Sequence, residues 1–336
     1  ENPENTSVSH YLAWNYIDQG KYDLAHIELN RLFEKTPTDF FIPLLTGDIQ
    51  LLNGELIQAE KSYLSILEKI DPSGIDMAMV RLFYLYNMQG RYQKSLELFK
   101  EIESIVEANG RESFWMYKLG EAAVYMNLRT NNPEKALEEA ETLRKMSLEK
   151  EYLGTKRIAL QSLIIALLNN KNIEKADQTA EELKGIVEAH PNKKLIWEYY
   201  LVKGLVENER RNYAQAIQLL NNALDFFPKG STSSYIGFPI DKILLLDSLG
   251  SAYYNSGNMD QAIDVYKKIK AMTTQRIVLS DLYVKAFFNL GKIHEQQGNK
   301  TKAIENYEEF LELWKNADPG ISEVEEARQS LSVLRE

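Results

Sequence analysis

Apolar residues recur every three or four positions along most of this chain, in short blocks separated by polar turns. Leu29, Leu32 and Phe33 belong to one such block. This spacing places the apolar side chains on one face of an α-helix. Turn glycines such as Gly20 and Gly54 divide the blocks into pairs. The pattern therefore predicts an all-α protein built from helix-turn-helix pairs.

The helix pairs form an internal repeat. Gly20 and Gly54 stand 34 residues apart, and the segments around them align. Farther along the chain, residues 249–269 align with residues 290–310 at an offset of 41. A fixed period of this length indicates a solenoid, in which each unit buries its apolar face against its neighbours.

Each recurrent position has a physical role. A small residue midway along the first helix, such as Gly47, lets the second helix approach closely. The turn glycine, such as Gly20, takes a left-handed conformation that other residues adopt at a cost. An alanine in the second helix, such as Ala25, lies where two helices touch. A proline such as Pro37 then ends that helix.

These positions resemble the tetratricopeptide repeat family over the whole chain. The resemblance implies an all-α, right-handed α-α superhelix of about eight helix-turn-helix units, with a C-terminal capping helix at 318–334. The predicted units cover residues 6–39, 40–73, 76–109, 113–150, 157–190, 197–230, 243–276 and 284–317. The third unit has Ser95 where alanine is usual, and the fifth has Lys171 where the turn glycine is usual. The fourth carries extra residues, which predicts a first helix one turn longer.

Longer connections divide the array into parts. We expect an N-terminal superhelix at 6–230, a joint at 231–242, and a C-terminal pair of units with its capping helix at 243–334. The joint is rich in Gly, Ser and Pro. It is either a tolerated surface insertion or a loop that contacts a ligand through Tyr235 and Phe238.

The last third of the chain carries a narrower resemblance. Residues 290–334 are similar to the C-terminal repeat region of many bacterial multidomain signalling proteins. The specific part is the string Phe-Leu-Glu-Leu-Trp-Lys-Asn-Ala-Asp-Pro at 310–319. Those proteins carry a Ser/Thr kinase, a winged-helix regulator or a cyclase module at their other end. The resemblance implies a sensory or scaffolding module and supplies no catalytic residue.

Net charge and composition disfavour some classes of binding partner. The formal net charge of −10 disfavours nucleic acid, because binding phosphates needs clustered Lys and Arg. It also disfavours an anionic membrane surface, and no apolar run is long enough to insert into a membrane. The chain lacks Cys and begins with Glu1 rather than Met. These features favour an extracytoplasmic location, with the cytoplasm as the alternative. A removed signal peptide and a fragment of a longer chain explain Glu1 equally well.

The sequence offers no recognisable catalytic chemistry. Its four histidines belong to no His-Glu-x-x-His motif, and absent cysteine excludes Cys-ligated zinc and thiol catalysis. No phosphate-binding loop, dinucleotide fingerprint or nucleophile elbow is present. Clustered carboxylates stand beside Lys and Arg, which is typical of a solvated helix face. We therefore predict no enzyme activity, no cofactor and no metal.

A superhelix of this type lines its concave face with one stripe of each first helix. The predicted partner-binding groove consists of Trp14, Phe41, Leu44, Tyr84, Met88, Phe114, Tyr117 and Tyr125, with Ile165, Leu205 and Tyr254 farther along. Aromatic side chains on such a face favour an apolar helix or an extended peptide as partner. The alternative is that some of them belong to the core within or between units.

These observations predict a non-catalytic module that binds a protein or peptide in the concave groove. It would be a scaffold or the sensor part of a bacterial signalling protein. One alternative is a regulator whose curvature changes when a peptide or small ligand binds. Another is a self-assembling repeat protein that associates through its N-terminal end, where no capping helix is evident.

Overall fold

The computed structural model describes residues 6–68, 74–108, 112–148, 153–228, 242–277 and 279–336. These residues form seventeen α-helices and two single-turn 3-10 helices, Lys193–Leu195 and Thr274–Arg276. The α-helices are α1 Thr6–Asp18, α2 Tyr22–Lys35, α3 Phe41–Leu52, α4 Leu56–Leu67, α5 Ile75–Met88, α6 Tyr92–Ala108, α7 Glu112–Arg129, α8 Pro133–Leu148, α9 Leu153–Asn169, α10 Ile173–Ala189, α11 Ile196–Glu209, α12 Tyr213–Phe226, α13 Lys242–Asn255, α14 Met259–Lys270, α15 Ser280–Gln296, α16 Lys300–Leu313 and α17 Ser322–Arg335. No strand occurs in these ranges, and the predicted all-α class is confirmed.

The first sixteen helices pair into eight helix-turn-helix units, from unit 1 (α1 and α2) to unit 8 (α15 and α16). The two helices of a unit pack on each other, and each unit packs on the next. This is the stacked arrangement of an α-α superhelix. The final helix α17 buries Val324, Ala327 and Leu331 and packs on α16. It therefore caps the last unit as the sequence predicts.

The turn inside each unit keeps one geometry whether or not it contains glycine. Gly20 has a φ of 71°. The equivalent residues of units 4, 5 and 6 are Asn131, Lys171 and Arg211, with φ of 58°, 58° and 64°. A left-handed backbone costs a residue with a side chain about 1–2 kcal/mol. The middle units therefore keep the repeat geometry against a local preference, although their sequences depart from the pattern.

The small residue of the first helix is required by its neighbour. A Cβ atom added to Gly47 would lie 2.4 Å from Cε1 of Tyr63 in the second helix, far inside van der Waals contact. The same ring-on-glycine packing recurs between Gly250 and Tyr266 in unit 7. The two helices can approach this closely because the first one presents no side chain there.

The superhelix closes on itself. Helix α15 of unit 8 packs on α5 of unit 3. One apolar cluster joins Tyr84 and Met88 of α5 with Phe287 of α15 and with Trp314, which follows α16. The N-terminal units and the C-terminal unit therefore share one apolar cluster.

Thr273, Arg276 and Ser280, just before and at the start of α15, contact three first helices. Their side chains donate hydrogen bonds to backbone carbonyl oxygens, from Thr273 to Asp18, from Arg276 to Leu52 and from Ser280 to Tyr84. Asp18 and Leu52 are the last residues of α1 and α3, where carbonyl groups have no donor within the helix. These side chains thus satisfy helix ends that would otherwise need water.

The string at 310–319 takes part in this closure. Trp314 is 1% exposed, and its indole N–H donates to the carbonyl oxygen of Met88 at 2.9 Å. The backbone N–H of Asp318 donates to the carbonyl oxygen of Gly90 at 3.0 Å. The residues that carry the narrower family resemblance therefore contact the chain's own unit 3.

Residues 229–241 lie outside the described residues. Tyr235 and Phe238 belong to this segment. The joint at 231–242, the division into 6–230 and 243–334, and the ligand contact of this loop stay predictions.

Candidate functional site

The first helices of units 4 to 7 enclose an inner cavity of about 320 Å³ together with the start of α15. Eight of its eighteen lining residues are aliphatic, namely Val124, Leu128, Ile165, Leu168, Leu205, Leu244, Leu279 and Leu282. Its charged lining residues are Glu121, Arg129, Glu209 and Asp247. We call this space the inner cavity.

The predicted groove residues take several positions. Trp14, Leu44, Tyr84 and Met88 are buried, and Phe41 and Tyr125 are half-buried. Phe114 and Tyr117 lie in α7, and their side chains are outside the described ones. Of the described members, Tyr125 lines the inner cavity, together with Ile165 and Leu205, while Tyr254 lines a smaller cavity beside it.

The packing of α15 on α5 explains why Tyr84 and Met88 are buried. Tyr84 and Met88 pack in the cluster that also contains Val284 and Phe287 of α15. The N-terminal half of the concave face is therefore filled by the chain's own C-terminal unit. Contact between these groove residues and a partner stays a prediction, and for Tyr84 and Met88 it would require α15 to move away.

A buried polar cluster fastens α15 to α6 and α7. Asp281, at the start of α15, has no exposed surface. Its Oδ2 lies 2.6 Å from Nε of Arg129, and its carboxylate accepts hydrogen bonds from the hydroxyls of Tyr92 and Tyr125. The guanidinium of Arg129 also lies over the Tyr125 ring, 4.6 Å from its centroid. We call these four residues the Asp281 cluster.

The groups of the Asp281 cluster stabilise one another's protonation states. Burial alone would lower the pKa of Arg129, but Asp281, Tyr125 and Tyr92 together outweigh burial and hold that pKa well above its ordinary value. Burial raises the pKa of Tyr92 and Tyr125, and the Asp281 charge raises it further. The tyrosines therefore stay protonated donors and Arg129 stays charged across the physiological range.

Asp247 is a second acid of the inner surface, and it is half-buried. It lies on α13 and lines both the inner cavity and the smaller neighbouring cavity of about 240 Å³. Burial raises the pKa of this carboxyl to about 6, and the charge of Asp281 adds to the shift. Lys285 and Arg129 oppose it. A substantial fraction of Asp247 therefore changes charge between pH 5 and 7.

Another fully buried acid, Asp48, pairs with Arg81. Asp48 has no exposed surface, and its Oδ1 accepts from Nε of Arg81 and from the Tyr63 hydroxyl, each at 2.8 Å. Arg81 is therefore already neutralised within the chain.

Sequence reasoning missed the residues that organise the inner surface. Asp247 interrupts the apolar run Ile243–Leu249, and Asp48 follows Gly47 inside an equally apolar helix. An acid within an apolar helical face was the available signal, since such a group is rarely buried without a partner. No periodicity could have paired Asp281 with Arg129, because they lie in different units.

The described residues hold no group of three or more His, Asp or Glu placed to bind a metal ion. None of their helices is long and apolar enough to cross a membrane. The fold and its inner surface define an all-α helical-repeat protein whose superhelix is closed around a cavity. The family model of the tetratricopeptide repeat matches residues 242–316, which correspond to units 7 and 8.

Several solved structures are similar to this chain. A tetratricopeptide repeat protein from Parabacteroides merdae is 16% identical, covers 88% of this chain and 99% of its own, and has a TM-score of 0.48. A STAND signal-transduction ATPase with a tetratricopeptide repeat sensor from Pyrococcus horikoshii is 14% identical, covering 98% of this chain and 50% of its own, with a TM-score of 0.47. The Cut9–Hcn1 hetero-tetramer is 15% identical, covering 98% and 57%, with a TM-score of 0.48. With TM-scores below 0.5, none of them indicates what this chain binds. No curated protein sequence matches the chain.

Proposed function

We propose that this chain is a non-catalytic protein-interaction module that binds another polypeptide through its N-terminal end. The observation that carries this proposal is a concentration of exposed apolar side chains on units 1 and 2. Eight of the eleven large apolar side chains that are exposed in the described residues lie on α1, α2 and α4. They are Val8, Tyr11, Leu12, Leu24, Ile27, Phe33, Ile57 and Leu64. We call them the N-terminal apolar surface.

The repeat itself indicates what kind of partner fits there. Leu12 precedes the small residue of its first helix, and Leu249 and Leu290 hold the same place in units 7 and 8. Leu249 and Leu290 are each 2% exposed, whereas Leu12 is 38% exposed. The preceding unit covers this position in the later units, and no described helix covers it in unit 1. A helix with an apolar face, stacked as a preceding unit would stack, is the complementary partner.

The contribution of this surface to the free energy of binding is large enough to measure. Tyr11 is 75% exposed and Phe33 is 56% exposed. Full burial of a side chain of this size contributes about 1.5–3 kcal/mol. Replacing two such side chains by serine should therefore weaken a complex at least about tenfold, even if burial is incomplete.

The experiment is capture of binding proteins from the native cell, followed by reconstitution with the purified partner. The test variant is Tyr11→Ser/Leu12→Ser, and the control is Val333→Ser, which removes an equally exposed side chain (63%) at the opposite end. We expect the test variant to lose at least tenfold in affinity while circular dichroism shows that it is folded, and the control to bind normally. Equal binding by the test variant and the native chain would refute the N-terminal surface.

Sedimentation of the purified chain separates this proposal from self-assembly. A concentration-dependent dimer that the Tyr11→Ser/Leu12→Ser variant abolishes would make a second copy of this chain the partner. A monomer at all concentrations would leave a different polypeptide as the partner. The finer assignment, a scaffold or sensor part of a bacterial signalling protein that binds in the concave groove, is supported by the sequence resemblance alone.

A regulator that responds to a small ligand is the second candidate function. It is favoured by the inner cavity, because Leu279 and Leu282, at the start of α15, line it beside residues of units 4 to 7. Leu279 has a φ of 49°, a strained backbone for a residue with a branched side chain. A ligand in contact with both parts would stabilise the closed superhelix. Small-angle X-ray scattering with and without ligand measures that change of shape.

A further inference from the structure

Asp247 stands where two cavities of different character meet. Eight residues that line the inner cavity are aliphatic, whereas the smaller cavity is lined mainly by polar side chains that include Tyr254, Asn289 and Lys292. Asp247 and Ser251 line both. A molecule that reaches Asp247 can therefore place an apolar part on one side and a polar part on the other.

The basic groups around Asp247 are engaged with other carboxylates. The ion pairs join Arg129 to Asp281 at 2.6 Å, Lys285 to Glu323 at 2.6 Å and Lys292 to Glu326 at 2.8 Å. Among the described residues, no Lys, Arg or His nitrogen lies within 4.0 Å of the Asp247 carboxylate. A partly buried carboxylate without its own counter-ion is unfavourable, and a cation beside it would relieve that cost.

Two other charged residues of the inner cavity already have partners. Glu209 pairs with Lys171 at 3.3 Å, and Arg129 pairs with Asp281 at 2.6 Å. An anionic ligand would be repelled by Asp247, and a neutral apolar ligand would leave the Asp247 carboxylate without a counter-ion. A hard metal ion prefers several oxygen ligands, and no group of three or more acids in the described residues is placed to supply them.

We propose that the inner cavity binds a small organic cation, a primary amine with an apolar body, whose ammonium group pairs with Asp247. The body of the amine would lie against Ile165 and Leu205, which face the cavity from α9 and α11. This names the ligand class for the second candidate function. Amine binding is measured directly and can occur whether or not the superhelix changes shape, so the two can fail separately.

The ionisation of Asp247 gives the binding a characteristic pH dependence. The pKa of its carboxyl is raised to about 6 by burial and by Asp281, and is lowered by Lys285 and Arg129. Below that pH the carboxyl is increasingly protonated and no longer attracts an ammonium group. Affinity for an amine should fall between pH 7.5 and 5, whereas affinity for the matching alcohol should not.

The experiment is isothermal titration calorimetry with phenethylamine and cyclohexylmethylamine, each paired with its alcohol, 2-phenylethanol or cyclohexylmethanol. At pH 7.5 we expect each amine to bind at least about tenfold more tightly than its alcohol. Asp247→Asn should abolish this preference, because the amide keeps the shape and removes the charge. Glu209→Gln is the matched control, since Glu209 lines the same cavity but is exposed and pairs with Lys171 at 3.3 Å. It should retain the preference.

Two results would overturn the proposal: amines that bind no better than alcohols, or an Asp247→Asn variant that keeps the preference. Circular dichroism checks that the variant folds. If it does not, Ile165→Trp, which fills the cavity from a half-buried position, must weaken amine binding at least tenfold. Unchanged amine binding by that variant would also exclude the inner cavity as the site.

Discussion

The Asp281 cluster makes a sharp prediction about what holds the superhelix closed. Asp281→Asn keeps the shape of the side chain and removes its charge. The carboxylate that is lost has no exposed surface and lies 2.6 Å from Nε of Arg129. The variant therefore leaves the guanidinium in a largely buried site without a counter-ion.

The expected magnitude follows from the burial of the two partners. Removing one member of a buried ion pair costs about 3–5 kcal/mol. The Arg129 side chain is 24% exposed, so water recovers part of its hydration. An amide at position 281 can still accept from Tyr92 or Tyr125. We therefore expect the lower end of the range, a loss of about 3 kcal/mol in the free energy of unfolding.

Urea unfolding followed by circular dichroism at pH 7.5 measures this loss. Asp264→Asn, which replaces an exposed aspartate on α14, is the matched control and should change the free energy of unfolding by less than about 0.5 kcal/mol. The double variant Asp281→Asn/Arg129→Met should be less destabilised than the sum of the single variants, by about 2 kcal/mol. Such a coupling energy isolates the ion pair from the other contacts of α15.

The reasoning would be refuted by an Asp281→Asn variant within about 1 kcal/mol of the native chain. Additive effects in the double variant would also contradict it, since they would mean that the two groups do not stabilise each other. Hydrogen exchange at the start of α15 provides an independent readout, because this segment should lose protection first.

Three further predictions concern individual positions. Asp247→Asn should stabilise the chain by about 3 kcal/mol at pH 7.5 and have little effect at pH 4. Because the pKa of Asp247 is raised to about 6, the folded state binds this proton more tightly than the unfolded state. The stability of the native chain therefore falls as pH rises from about 4 to above 6. An equal effect of the substitution at both pH values would contradict this. Gly47→Ala should lower the free energy of unfolding by about 1–3 kcal/mol, because the added Cβ overlaps the Tyr63 ring. Gly185→Ala, where no atom lies within 4 Å of the added Cβ, should raise it by about 0.5–1 kcal/mol. Equal shifts of the two variants in thermal denaturation would contradict the close packing at Gly47. Arg211→Gly should be neutral or stabilising by up to about 1 kcal/mol, because it relieves a left-handed backbone; a clear loss of melting temperature would show that the side chain contributes more than the strain.

Much of the fold could be predicted because its determinants are local. The turn glycine at Gly20, the small residue at Gly47 and the stopping proline at Pro37 each act within one unit. Departures from the repeat pattern could also be recognised in the sequence. Lys171 stands where glycine is usual, and its backbone nevertheless lies in the left-handed region. The candidate site was harder to predict, since helical periodicity identifies the face of a first helix but not what lies opposite it.

The sequence by itself determined the repeat, the eight helix-turn-helix units and the capping helix, because these depend on spacings within a unit and between neighbours. Only the tertiary structure decided that the superhelix closes, that α15 fills the concave face beside Tyr84 and Met88, and that Asp281 meets Arg129. Small rotations from unit to unit accumulate along a solenoid, and no single unit encodes their sum. Whether the concave face is an open groove or an enclosed cavity therefore depends on the whole array.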